Sequence, residues 1–145
     1  MAEYGTMSPA FLGMLYGTDY VIDSFVCTEA VSPGKPVYQT PGSPGTVHAT
    51  YVSGDVFVGI AVASQRSTVN SVGVYEAHEV VNVLKEGSVW VAVASTVSTA
   101  PTAAYATASG TFSVTASGNY DVGALFRTNG SSLAVVEIHG PKVIA

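Results

Sequence analysis

A chain of 145 residues and 14.8 kDa has the size of one domain, and folding at that mass buries about two-thirds of the extended chain's surface, enough for an independent core. Only 10% of the residues are charged, against roughly 25% in an average soluble domain, so the surface is poorly defended against association, and cover by partner subunits would account for the deficit. The net charge is −5, and the basic residues Lys35, Arg66, Lys85, Arg127 and Lys142 are scattered, leaving no cluster to track a phosphate backbone or an anionic bilayer; neither nucleic acid nor membrane is an expected partner.

Residues 1–19 differ from the rest. Tyr4, Met7, Phe11, Leu12, Met14, Leu15 and Tyr16 stand among Gly, Ser and Pro, and Gly5, Pro9, Gly13 and Gly17 interrupt any long helix. Such a segment either closes over its own core as an irregular lid or docks on a neighbouring subunit. Solvent tails avoid large apolar groups, which favours docking. The expectation is an irregular N-terminal arm over 1–19 and a β domain over 20–145, with Tyr4, Met7, Phe11, Leu12, Leu15 and Tyr16 as candidate interface residues. The first basic residue is Lys35 and no apolar run approaches 18 residues, so neither a signal peptide nor a membrane span is expected.

Tyr20 to Ala30 alternates loosely and predicts a strand, with the lone Cys27 as a buried, inert thiol that has no internal disulfide partner. Ser32-Pro33-Gly34 signals a turn, Lys35 to Tyr38 a short extended piece, and Thr40 to Thr46 a loop. His48 to Tyr51 is read as extended and Val56 to Ala63 as a strand. Ser64 to Tyr75 is polar and aperiodic, a long loop. Glu79 to Leu84 and Ser88 to Ala94 read as a hairpin with Lys85-Glu86-Gly87 at its tip. Trp90, between Val89 and Val91, is expected to face the core. Ser95 to Gly110 is rich in Ser, Thr and Ala and receives no strand. Thr111 to Thr115, Tyr120 to Arg127 and Ser132 to His139 complete the strands, the last two joined through Asn129-Gly130, a strong hairpin signal. Seven to nine short strands without a convincing helix predict a single all-β barrel or sandwich.

Groups that could do chemistry are few. His48, His78 and His139 are far apart and lie in no metal-binding spacing. No G-x-S-x-G motif occurs, and Asn129-Gly130-Ser131, formally a glycosylation sequon, is accounted for by the hairpin. No enzymatic activity and no cofactor are expected.

An ordered set of short pieces resembles the structural cement proteins of tailed bacteriophages, also called capsid decoration proteins. Pro33-Gly34-Lys35-Pro36-Val37-Tyr38 resembles the family's early G-x-P-V strand, and Asp55-Val56-Phe57-Val58-Gly59-Ile60-Ala61 its F-x-G-[VI]-A strand. Glu79-Val80-Val81-Asn82-Val83, followed by Gly87-Ser88-Val89-Trp90-Val91, resembles its V-x-V…G-x-[VI]-W-V hairpin, and a late Ala/Tyr segment, then Gly118 to Val136, its closing strands. The resemblance covers roughly residues 20–140. It implies a non-enzymatic virion protein, made in the host bacterial cytoplasm, that binds the outside of the expanded capsid and bridges major capsid subunits. It also implies a homo-oligomer at a capsid symmetry axis, a trimer ahead of a dimer. Residues 1–19 match no family pattern, so their use as a capsid-binding arm is a reading of the residues alone. Two other function classes fit an all-β chain: a virion surface module that binds carbohydrate or a host receptor through exposed tyrosines, and a hydrolase with a Ser–His pair assembled in space.

Overall fold

The computed structural model describes residues 12–63 and 74–144, and within them the chain is all-β without a helix. Runs rich in Val, Ile and Thr, broken by Gly and Pro, give β1 (Leu15–Cys27), β2 (Pro36–Gln39), β3 (Thr46–Val47), β4 (Val56–Ala61) and β5 (Val80–Ala92). They are followed by β6 (Thr102–Ala106), β7 (Phe112–Ser113), β8 (Tyr120–Phe126), β9 (Leu133–His139) and β10 (Lys142–Val143). The strands form one sheet in the order β10-β4-β5-β9-β8-β6-β7, with β2 on β4 and β1 on β5. It curls into a half-barrel. All pairings are antiparallel except β1 with β3, which meet at Val26–Thr46 and Cys27–Val47.

Burial divides into two clusters on opposite faces of the central strands. Inside the curl, Phe57, Ile60, Leu84, Val89, Val91, Phe126, Val136 and Ile138 form the main core with Tyr38 and Phe112. On the other face Val58, Ala61, Val81 and Val83 pack with Cys27, Val31, Val37, Val47 and Tyr75. β4 is thus buried on both faces, and for that reason its sequence is a continuous apolar run rather than an alternating one. Each fully buried side chain of this size contributes about 1.5–3 kcal/mol in transfer terms. Gly59 is required between the clusters: a Cβ there would lie 2.0 Å from the Leu84 carbonyl oxygen.

Three expectations need correction. The predicted hairpin over 79–94 is a single 13-residue strand, β5. Gly87 has φ +131° but does not reverse the chain: pairing with β9 runs unbroken through it, from Glu86–His139 to Ala92–Leu133, and β1 lies close on the other side. A Cβ on Gly87 would lie 2.8 Å from Tyr20 Cβ. Opposite Gly87 β1 bulges: its pairing passes from Tyr16–Ser88 directly to Val21–Glu86. Trp90 does not face the main core; Val89 and Val91 do, and strand alternation turns Trp90 to the outer face, where it is half-buried. The Ser/Thr/Ala-rich stretch contains β6, whose Ala104 and Ala106 are buried.

β8 and β9 are adjacent and antiparallel, as expected. The Asn129-Gly130 link is a wider loop than a two-residue turn: Gly130 bonds to Val97 through both its backbone groups, and Asn129 Oδ1 accepts the Ala100 N–H at 2.9 Å. The long loop predicted over 64–75 lies outside the described residues as far as 73. Tyr75 itself is buried, bridges to Val31 and donates its hydroxyl to the Val62 carbonyl at 2.7 Å.

Candidate functional site

β1 is the feature of this surface that is not explained by the core. It runs along β5 from Val80 to Val89, bulging opposite Gly87, and the other side of β5 is taken by β4 and then β9. The outer edge of β1 meets β3 only at Val26 and Cys27. The Val26 N–H points out to the Gly45 carbonyl, 3.1 Å away, so strand alternation directs the backbone groups of Ser24 and Ile22 to the same edge. The Ser24 N–H there is taken by its neighbour's Asp23 Oδ1 at 2.9 Å. Among the described residues no strand pairs with the edge at Ile22.

The side chains along this segment are uncovered as well. Leu12, Tyr16, Tyr20, Val21, Ile22 and Val26, with Val80 across from Val26, are all the exposed large apolar side chains of the described residues except Val52 and Val143. Val21 is 50% and Ile22 37% exposed, although consecutive strand residues point to opposite faces. Both faces of this part of β1 are therefore open. Exposed apolar side chains gathered along an unpaired edge are where another polypeptide would bind.

Beside it, on the outer face of the sheet, Tyr16 meets Trp90 edge-on with ring centroids 6.1 Å apart. The Arg127 guanidinium lies 5.3 Å from the Tyr16 ring centroid and donates to Ser88 Oγ at 3.0 Å. Tyr, Trp and Arg are the side chains most enriched among energetically dominant interface positions. A shallow groove of about 380 Å³ follows the bulge, lined by Asp19, Tyr20, Val21, Glu86, Gly87, Glu137, Ile138 and His139. Glu137 lies 3.8 Å from Arg127 and 3.6 Å from His139, and Asp23 lies 3.8 Å from Lys85. These exposed pairs contribute about 0–1 kcal/mol each; their carboxylates give the apolar strip an acidic border.

The other candidate groups are structural. His48 Nε2 lies 2.6 Å from Asp55 Oδ2, and the buried Asp55 also accepts the Val52 N–H at 2.9 Å. This ties the turn before β4 to the chain after β3. The Cys27 thiol is fully buried and directed at the carbonyls of Glu76 and Glu79; burial pushes its pKa above the ordinary thiol value. Tyr38 sits in a cluster with Tyr51, Phe57 and Tyr120. Burial is the main reason that its phenol too is raised. Among the described residues no three His, Cys, Asp or Glu side chains converge on a possible metal position.

Of the six candidate interface residues, Tyr4, Met7 and Phe11 lie outside the described residues. Leu12 and Tyr16 are exposed at the start of the strip. Leu15 is half-buried, opens β1 and packs against the main core. Tyr20, Val21, Ile22 and Val26 were not singled out by sequence reasoning, because β-branched strand residues read as core. The available signal was the broken alternation of Tyr20-Val21-Ile22, which a half-buried strand would not show.

Comparison with protein families matches residues 2–139 to the phage structural cement proteins. No curated protein matches the sequence. Among solved structures, a chain from the capsid of Myoviridae phage XM1 superposes with a TM-score of 0.75 at 18% identity, over 92% of both chains. The N base of the head fiber protein gp8.5 of bacteriophage phi29 gives a TM-score of 0.48 at 13% identity, over 86% of this chain and 98% of that one.

Proposed function

This chain belongs to the phage structural cement protein family, and on that footing we propose that it binds the outer surface of the expanded capsid and ties neighbouring major capsid subunits together, without enzymatic activity. The observation that carries the reading is the family match over 2–139, nearly the whole chain. A structural, capsid-associated role in the virion follows from the family. The outer surface, the bridging and a homo-oligomeric state, a trimer ahead of a dimer, belong to the proposal, as does synthesis in the host cytoplasm before decoration.

The physics supports it. A surface with few charges and an apolar strip gains from being covered, and each large apolar side chain removed from water contributes about 1.5–3 kcal/mol before ordering costs. Bridging requires two separate contacts per copy. In this proposal the arm, with Tyr4, Met7 and Phe11, reaches one capsid subunit while the body rests on the next. Weak contacts repeated on a shell then reinforce one another through effective concentration.

Adding the purified protein to expanded, DNA-filled capsids that lack it should raise the temperature at which they release DNA. An unchanged release temperature contradicts a cement role. The arm is tested by deleting residues 1–11. Deleting 1–19 would cut into β1 and remove the bonds from Gly13 N–H to the Trp90 carbonyl and from Trp90 N–H to the Met14 carbonyl, 2.9 and 3.0 Å. The shortened chain should remain a soluble β domain and lose capsid binding; undiminished affinity would remove the arm from the account.

A further inference from the structure

We infer that the free edge of β1 at Tyr20–Ser24 is a strand-addition site, and that its occupant is an extended segment of the major capsid protein with apolar residues at its centre and Lys or Arg at its flanks. The inference rests on the cement reading and adds to it the face and the mode of contact.

Three observations carry it. The edge at Ile22 has no strand partner among the described residues, while the opposite edge of β1 is paired with β5 from Val21 to Val26. An incoming strand would find the Ile22 N–H and C=O and the Ser24 C=O directed at it, which supplies main-chain hydrogen bonds regardless of its sequence. Val21 and Ile22 are exposed on the two faces of that edge, so apolar residues of the added strand would meet one on each side. Finally, Asp19, Asp23 and Glu86 border the strip with Lys85 as the cation beside Asp23.

The acidic border decides between occupants. A second copy of the chain, with its own net charge of −5, would set a second Asp19 and Asp23 against this border, and like charges facing each other across strands are destabilising. A basic-flanked segment meets them with complementary charge, which fixes register and orientation. A neutral or acidic segment would have the hydrogen bonds but not the register.

The test replaces Val21 and Ile22 together by Lys, which puts two cations on the edge and discourages strand addition. Both side chains are exposed, so the thermal transition should be preserved. Val52→Lys and Val143→Lys, at the exposed apolar positions away from the strip, are the controls. Co-sedimentation with expanded capsids should weaken at least tenfold for Val21→Lys/Ile22→Lys and stay unchanged for both controls. In parallel, a photo-crosslinking residue in place of Val21 should form its adduct with the major capsid protein. Binding equal to wild type, or an adduct formed only between copies of this chain, overturns the inference while leaving the cement reading in place. Failure of the wild-type chain to bind overturns both.

Discussion

Two strands of thirteen residues lie side by side in this molecule and have opposite fates. β5 carries buried Val81, Val83, Leu84, Val89 and Val91; β1 carries exposed Tyr16, Tyr20, Val21, Ile22 and Val26. Their compositions do not explain the difference, since both are rich in β-branched and large apolar residues. Position does. β5 is flanked on both edges and covered on both faces at its N-terminal half, whereas β1 has a second neighbour, β3, only at Val26 and Cys27, and is covered only near its ends, where Leu15 meets the main core and Phe25 and Cys27 the smaller one. An apolar strand side chain contributes to stability in proportion to what covers it. β1, in the isolated chain, has apolar surface left over for a partner.

That comparison can be broken most severely at Gly59, which holds β4 against β5. Gly59→Val places side-chain atoms onto the Leu84 backbone and should cost more than about 4 kcal/mol, enough to leave the chain unfolded or insoluble on expression. A soluble, cooperatively unfolding variant would show that the β4–β5 approach is looser than described. Next comes a matched pair. Leu84 and Ile22 are register partners across β5 and β1. Leu84→Ala should lose about 2–5 kcal/mol in urea unfolding, and Ile22→Ala, at an exposed site, no more than about 0.5 kcal/mol. Equal losses would mean that something covers β1 in the isolated chain.

A smaller effect sharpens the contrast within β1. The Cys27 pKa is raised by burial, so above about pH 9 the unfolded thiol ionises while the folded one keeps its proton. The unfolded state then binds fewer protons and stability falls as pH rises. Tyr38, raised for the same reason, adds to the fall from about pH 10. Urea unfolding at rising pH should show this decline, and Cys27→Ala should flatten its first part. An unchanged slope in the variant would mean that the thiol is as accessible in the folded chain as in the unfolded one.

The fold class was legible because its signals are local. Turn residues such as Ser32-Pro33-Gly34 and the β-branched density of Val56 to Ala63 depend on neighbours in the chain. The misread regions depend on neighbours in space. Gly87 beside Lys85 and Glu86 is a turn signal in isolation; in the fold it continues β5, paired with β9 on one edge and with Tyr20 of β1 so close on the other that a Cβ would not fit. Trp90 was assigned to the core from its place between Val89 and Val91, but those two valines take the core phase and Trp90 shares the outer phase with Ser88. β6 was hidden because its buried residues are alanines, which carry little hydrophobic signal. The strip on β1 was the least legible: the broken alternation of Tyr20-Val21-Ile22 is a local mark of a strand that is not half-buried, but the absence of the next strand depends on neighbours in space.

The most direct measurement is co-sedimentation of the purified full-length chain with expanded and unexpanded capsids of its source phage across a concentration series. Saturable binding to the expanded form alone, with a plateau at a fixed number of copies per capsid, is the result predicted here. Absence of binding to the expanded form, or equal binding to both, would contradict the role of a cement for the mature shell.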